Sequence, residues 1–196
     1  MKFIFRVSLC LVATLAFALA AMGQDSNSKG GGAAKTKFKH NGKISTKYNK
    51  SKDQTAVELN PMAASSSMAS EAQNLRDASQ MDLAASFTYQ GQVLTKPVEA
   101  LTLTFHARAK NPVFQKGQNV LATLDGQNAL MLGTSTYKSS SQTFIFEEIM
   151  SVQVPYETLS KIISAKTVEL FLGPRKITLK ESHIEALRDM ASRMTP

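Results

Sequence analysis

The chain contains no tryptophan and only one cysteine, Cys10. One cysteine cannot close a disulfide within the chain, and Cys10 lies in an N-terminal segment that we expect to be removed. The remaining chain would then have no disulfide, no thiol nucleophile and no cysteine metal site. The absence of tryptophan also argues against a carbohydrate-binding surface built on indole rings.

Acidic residues are scarce in the first part of the chain, where Asp25 and Asp53 are the only two before Glu58. The formal net charge of +8 comes from this imbalance, because eight lysines lie between residues 24 and 53. Basic and acidic residues balance from residue 54 onward. The positive net charge therefore lies in the N-terminal part of the chain, and the rest forms a neutral domain.

The first residues have the pattern of a bacterial-type secretory signal peptide. Lys2 and Arg6 precede a weakly polar to apolar run over residues 7–21, which is shorter than the roughly 20 apolar residues that a bilayer-spanning helix needs. The run ends in Ala18-Leu19-Ala20, a pattern that signal peptidase accepts. We expect residues 1–20 to be cleaved, no transmembrane helix to remain, and the protein to be periplasmic or secreted.

Residues 21–42 are rich in Lys, Gly and Ser and predict a disordered tail. One hypothesis is that the tail binds an anionic surface such as lipopolysaccharide or an acidic glycan. The alternative is a solvated spacer. The candidate contacts of the first hypothesis are Lys35, Lys37, Lys39, Lys43 and Lys47.

Residues 43–196 predict one mainly β domain. Apolar residues alternate with polar ones around residues 44–48 and 55–59, and most clearly over residues 101–108, as in half-buried strands. Residues 62–81 are rich in Ala, Ser and Met and are interpreted as an insertion or linker. Asp125-Gly126 predicts a type I′ hairpin turn, and Gly173-Pro174 a second hairpin.

Two short helices follow the main strands. Pro155 suits the first turn of one helix, and Ser182 with Glu185 has the spacing of a capping box for the second, C-terminal helix. About nine strands without a βαβ series indicate an antiparallel β-sandwich or a partly open barrel.

Several short patterns resemble those of small exported bacterial β-rich proteins of unknown function. They run from Lys47-Tyr48 through Leu124-Asp125-Gly126 and residues 165–173 to the Ala186-Leu187-Arg188 helix. The resemblance implies the fold and the compartment, and it brings no activity or ligand.

The sequence contains no recognisable catalytic or metal site. The three histidines, His40, His106 and His183, have no metal-ligand spacing, and there is no G-x-S-x-G nucleophile motif. Glu147 and Glu148 point to opposite faces of a strand, so we expect one exposed carboxylate and one bonded to a neighbour. No nucleotide, flavin or other cofactor motif is present, and we expect no cofactor.

Most aromatic residues lie at strand periodicity and are assigned to the core. Phe114 and Tyr137 fall outside the predicted strands and are the candidate binding-loop aromatics. The leading hypothesis is an exported, non-enzymatic β-sandwich module that binds or organises a partner in the cell envelope or outside the cell. The alternatives are an extracytoplasmic hydrolase whose site assembles only in three dimensions, and polyanion binding by the basic tail.

Overall fold

The computed structural model describes residues 38–68, 80–112, 114, 118–127, 129–142, 145–173 and 175–196. The predicted signal peptide and most of the predicted tail, including Lys35 and Lys37, therefore lie outside the described residues. Over the described residues the chain forms ten strands and two helices: β1 (Ile44–Asn49), β2 (Gln54–Met68), β3 (Gln80–Gln90), β4 (Ala100–Ala109), β5 (Asn119–Leu124), β6 (Leu130–Thr134), β7 (Thr136–Gln142), β8 (Ile145–Pro155), α1 (Tyr156–Ser164), β9 (Val168–Leu172), β10 (Arg175–Leu179) and α2 (Glu181–Ser192).

The strands form two antiparallel sheets in a sandwich-like arrangement. The first sheet has the order β1-β2-β3-β4-β8-β7, and the second has the order β6-β5-β9-β10. The predicted fold class is confirmed, with ten strands over the described residues instead of about nine and with the last helix at the C-terminus.

Strand β2 belongs to both sheets. Its first part pairs with β1 and β3, and residues 65–68 pair with β10. The register shifts between Leu59 and Met62, where Asn60-Pro61 interrupts the ladder as prolines do at bulges. Small residues follow this bulge, and they suit a strand that bends from one sheet into the next.

The interpretation of residues 62–81 as an insertion is wrong at both ends. Residues 62–68 continue β2, and Gln80 begins β3. The low hydrophobicity of these residues gives no strand signal in the sequence. They are held in strands by pairing with β3 and with β10, which is distant in the sequence. Residues 69–79, the middle of this predicted insertion, lie outside the described residues.

Strands β6 and β7 form a second junction between the sheets, because only Ser135 separates them. The Ser135 backbone N–H and Oγ both donate hydrogen bonds to the Gln118 carbonyl oxygen, at 2.9 and 3.0 Å. Gly133, with a φ of 142°, lies so close to β8 that a Cβ there would be 3.1 Å from Val152 Cγ2. The chain therefore crosses between the sheets at a position that requires glycine.

The core lies between the sheets and under the helices. The predicted alternation in β4 is confirmed, since Leu101, Leu103 and Phe105 are buried and Thr102 and Thr104 are only half-buried. The helices contribute apolar side chains from one face each: Leu159, Ile162, Ile184, Leu187 and Met190.

Asp125 and Gly126 form the predicted turn after β5, with positive φ values of 52° and 71°. The Gln127 N–H donates to the Leu124 carbonyl oxygen at 3.0 Å, which closes the turn. Asp125 Oδ1 also accepts hydrogen bonds from the backbone N–H groups of Thr167 and Lys166, at 2.8 and 2.9 Å. These hydrogen bonds, that of Thr167 first, lower the pKa of the Asp125 carboxyl.

The predicted capping box of the last helix is wrong. The helix begins at Glu181, and Lys180 is its N-cap. The His183 ring occupies the capping position, because its Nδ1 accepts the Lys180 backbone N–H at 3.0 Å. Glu185 instead pairs with Arg188, whose Nε donates to the Ile163 carbonyl oxygen at 2.7 Å near the end of α1.

Candidate binding groove

A groove with a volume of about 530 Å³ lies where β3 and β4 separate. The β3–β4 register ends at the pair Ser86–Thr102, whereas β3 stays paired with β2 through Gln90. Among the residues that the structure describes, residues 87–90 therefore have a partner strand on one side only. The loop over residues 94–99 forms the opposite wall of the groove.

Two hydrogen bonds hold this loop away from β3. The register places Val98 opposite Gln90, but the Val98 N–H donates to the Met194 carbonyl oxygen at 2.8 Å. The Tyr156 N–H donates a hydrogen bond to the Glu99 carbonyl oxygen at 2.8 Å. Pro97, the neighbouring residue, has no N–H to offer β3.

The unpaired edge of β3 presents main-chain hydrogen-bonding groups to the groove. The Gly91 N–H donates to the Asp53 carbonyl oxygen at 2.8 Å. The odd-numbered residues of this part of β3 therefore direct their backbone N–H and C=O groups toward β2. Because backbone groups alternate along a strand, Thr88 and Gln90 direct their N–H and C=O groups to the opposite side. That side is the groove.

The side chains of the groove are mostly neutral and polar. Ser86, Thr102 and Gln153 form one row across three strands, and Thr88 and Gln90 continue along β3. Leu94, Pro97 and Val98 add apolar surface, and Lys96 and Glu99 are the charged residues of the lining. The lining includes no histidine, aspartate or cysteine. Its neutral polar side chains and exposed backbone groups suit the binding of a ligand.

The groove was not anticipated from the sequence. Strand β3 ends at Gln90, but no local sequence pattern shows that its last residues are separated from β4. One signal was available: nine residues separate Gln90 from Ala100, more than a tight hairpin needs, and Pro97 interrupts them.

The predicted aromatics Phe114 and Tyr137 meet at one buried carboxylate. Tyr137 lies on β7, so its predicted loop position is wrong. Phe114 lies outside the strands, as predicted, but its side chain is buried in the hydrophobic core. The Tyr137 hydroxyl and the Phe114 backbone N–H donate to Glu148 Oε1 at 2.6 and 3.2 Å. Burial, followed by the hydrogen bond to Glu148, raises the pKa of Tyr137. Whether either aromatic binds a ligand stays a prediction.

The two adjacent glutamates behave as expected. Glu148 is 1% exposed and bonded, while Glu147 pairs with Arg108 at the surface, with 3.1 Å between Nε and Oε1. They lie on opposite faces of β8, and no shared carboxylate site forms.

The candidate lysines that the structure describes lie on or beside β1. Lys39, Lys43 and Lys47 are exposed, and within the described part of the chain none of the three forms an ion pair. The structure does not describe Lys35 and Lys37.

The three histidines have different hydrogen-bonding or pairing partners. His40 Nε2 lies 3.2 Å from Asp189 Oδ2 on α2, and His183 caps α2. His106 lies on the outer face of β4, paired with Asp82 and Ile149, outside the groove. No cluster of three metal-ligating side chains occurs among the described residues.

Neither of the two described helices has the length and hydrophobicity required to cross a membrane. Comparison with known proteins found no matching family model, no matching curated protein and no matching solved structure.

Proposed function

We propose that the protein is an extracytoplasmic, non-enzymatic binding module that takes an extended, weakly charged polypeptide segment along the free edge of β3. The observation that carries this proposal is the groove of about 530 Å³ beside a strand edge that has lost its partner. A segment laid there would pair with the backbone of Thr88 and Gln90, as in β-strand addition.

The groove has suitable dimensions and chemistry for such a segment. Four residues of β3, from Phe87 to Gln90, extend past the last β3–β4 pair, which is about 13 Å of strand. Ligand grooves in proteins have volumes of roughly 300–1,000 Å³. The hydroxyl and amide side chains of the lining favour an uncharged, polar partner.

Replacing Thr88 by proline tests the proposal, because it removes one N–H that faces the groove and leaves the β2 side intact. Heptapeptides selected by phage display against the chain lacking residues 1–20 should bind Thr88→Pro at least tenfold more weakly, as measured by fluorescence anisotropy. Amide chemical shifts of residues 86–102 should move when the peptides bind to the unmodified chain.

Thr46→Pro is the matched control. Thr46 is exposed on the edge strand β1, and alternation directs its N–H away from β2. This variant should bind the peptides normally. Equal binding to Thr88→Pro, or amide shifts confined to other residues, would contradict the proposal. Amide shifts at the groove with soluble oligosaccharides but not with peptides would mean that the ligand is a glycan and not a polypeptide.

The export signal and the extracytoplasmic location belong to this proposal and rest on the sequence pattern of residues 1–20. The hydrolase and the polyanion-binding tail stay alternative hypotheses. His106 lies on an open sheet face opposite Asp82, which gives the hydrolase no support from geometry.

A further inference from the structure

Two loops at one end of the first sheet are fastened together. They are the turn after β1, residues 49–53, and the loop after β3, residues 91–96; together with Lys47 and Tyr48 we call them the turn-end surface. The Gly91 N–H donates to the Asp53 carbonyl oxygen at 2.8 Å, and Gln90 Nε2 donates to Asp53 Oδ2 at 3.2 Å. The Thr55 hydroxyl donates to the Gly91 carbonyl oxygen at 2.5 Å.

The turn-end surface presents an apolar tip. Val93 is 71% exposed, the largest fraction for any exposed large apolar side chain among the described residues. Leu94 follows it and is half-buried. The Tyr48 ring is exposed beside the tip, and its hydroxyl donates to Asp53 Oδ1 at 2.8 Å, a bond that raises the pKa of Tyr48.

Four lysines belong to the turn-end surface. Lys47, Lys50, Lys52 and Lys96 are exposed, and the ion pairs of the described residues involve none of them. The acidic residue between the two loops is Asp53, and both of its carboxylate oxygens accept hydrogen bonds from neighbours. The surface therefore combines positive charge with an exposed aliphatic residue.

We propose that the turn-end surface docks on a bilayer that contains phosphate-bearing anionic lipids. Lysines near such a surface attract its headgroups, and an aliphatic side chain can enter the boundary between headgroups and acyl chains. Tyrosine suits the same boundary, because its ring is apolar and its hydroxyl is polar. A soluble polyanion would engage the lysines but would gain nothing from Val93.

This docking does not rest on peptide binding. Leu94 and Lys96 lie in the loop that also walls the groove, but Thr88→Pro changes neither residue. A failure of peptide binding with intact membrane binding, or the reverse, separates the two proposals.

Co-sedimentation with vesicles tests the docking in the chain lacking residues 1–20, with the tail present in every variant. Vesicles of phosphatidylglycerol and phosphatidylcholine should bind the chain, and vesicles of phosphatidylcholine alone should not. The double variant Lys50→Gln/Lys52→Gln should bind about 30-fold more weakly, which is about fivefold for each lysine. Val93→Ser should bind about tenfold more weakly.

Two matched controls keep the result interpretable. Lys138→Gln removes an exposed lysine from β7, in the row of His106 and Asp82 rather than at the turn end, and should bind normally. Ile145→Ser removes an apolar side chain that is 51% exposed at the opposite end of the sheet, and should also bind normally. Circular dichroism and thermal midpoints confirm that each variant is folded.

Three results would overturn the inference. Undiminished binding of Val93→Ser to the vesicles would mean that the contact is purely electrostatic. Heparin would then displace the unmodified chain and Val93→Ser from the vesicles equally well. Undiminished binding of the double lysine variant would exclude the turn-end charges. Equal binding to uncharged vesicles would exclude recognition of anionic lipid.

Discussion

Glu148 and His183 are buried polar side chains whose partners come from distant parts of the chain. Glu148 accepts hydrogen bonds from Tyr137 and Phe114, and His183 Nε2 lies 3.1 Å from the Ala63 carbonyl oxygen. The sequence predicted that one of the adjacent glutamates would be bonded, because strand neighbours face opposite ways. It could not predict the partners, since each depends on strand register.

His183 should make stability depend on pH. Its ring is neutral when Nδ1 accepts the Lys180 N–H and Nε2–H donates to Ala63, and burial lowers its pKa from the ordinary 6.5. The unfolded chain therefore binds the proton more readily. The stabilisation is complete above 6.5 and is lost as the pH falls from 6.5 through the lowered pKa of the folded state.

Urea denaturation between about pH 7.5 and about pH 5 measures this effect. His183→Gln should lower the free energy of unfolding at neutral pH by about 1–3 kcal/mol, because a buried donor and a capping acceptor are changed. It should also show a weaker loss of stability on acidification than the unmodified chain. Equal slopes for His183→Gln and the unmodified chain would refute the role of His183.

At the scale of elements, β4 and β2 show what periodicity can and cannot predict. The alternation from Leu101 to Arg108 predicted β4 correctly, because one face of that strand is apolar. Residues 62–68 gave no such signal, because Ala and Ser report little about burial. Their strand conformation follows from pairing with β3 and β10, which no local pattern encodes. The groove escaped prediction for the same reason.

The junction between β6 and β7 should be sensitive to a single methyl group. Gly133→Ala places a Cβ 3.1 Å from Val152 Cγ2 in a backbone conformation with a φ of 142°. Gly126→Ala shares the positive φ, but a Cβ there has no neighbour within 4 Å. At the φ of Gly126, near the left-handed region, strain alone costs about 1–2 kcal/mol; a φ of 142° lies outside the regions that an L-residue normally adopts.

The difference between these two glycine variants combines the packing contribution with the greater backbone strain of an L-residue at a φ of 142°. In urea denaturation Gly126→Ala should lose about 1–2 kcal/mol, and Gly133→Ala should lose at least about 1 kcal/mol more. Equal losses would show that β6 and β8 can separate slightly at no cost.

For the whole molecule, the C-terminal segment completes the fold. Strand β10 covers residues 65–68 of β2, α2 contributes six buried side chains, and the Met194 carbonyl oxygen anchors the loop at Val98. A chain ending at Gly173 should therefore lose cooperative thermal unfolding. A chain ending at Met194 lacks only the exposed Thr195 and Pro196 and should unfold like the full chain. Cooperative unfolding of the shorter chain would show that β2 is stable without β10.

The membership of β2 in both sheets also affects the order in which the strands can pair during synthesis. Residues 65–68 of β2 are synthesised well before residues 175–178 of β10, with which they pair. Contacts between such distant segments form slowly, because a long loop must close first. Slow closure favours export in an unfolded state, which the proposed function requires, because β2 cannot complete its pairing before β10 is made.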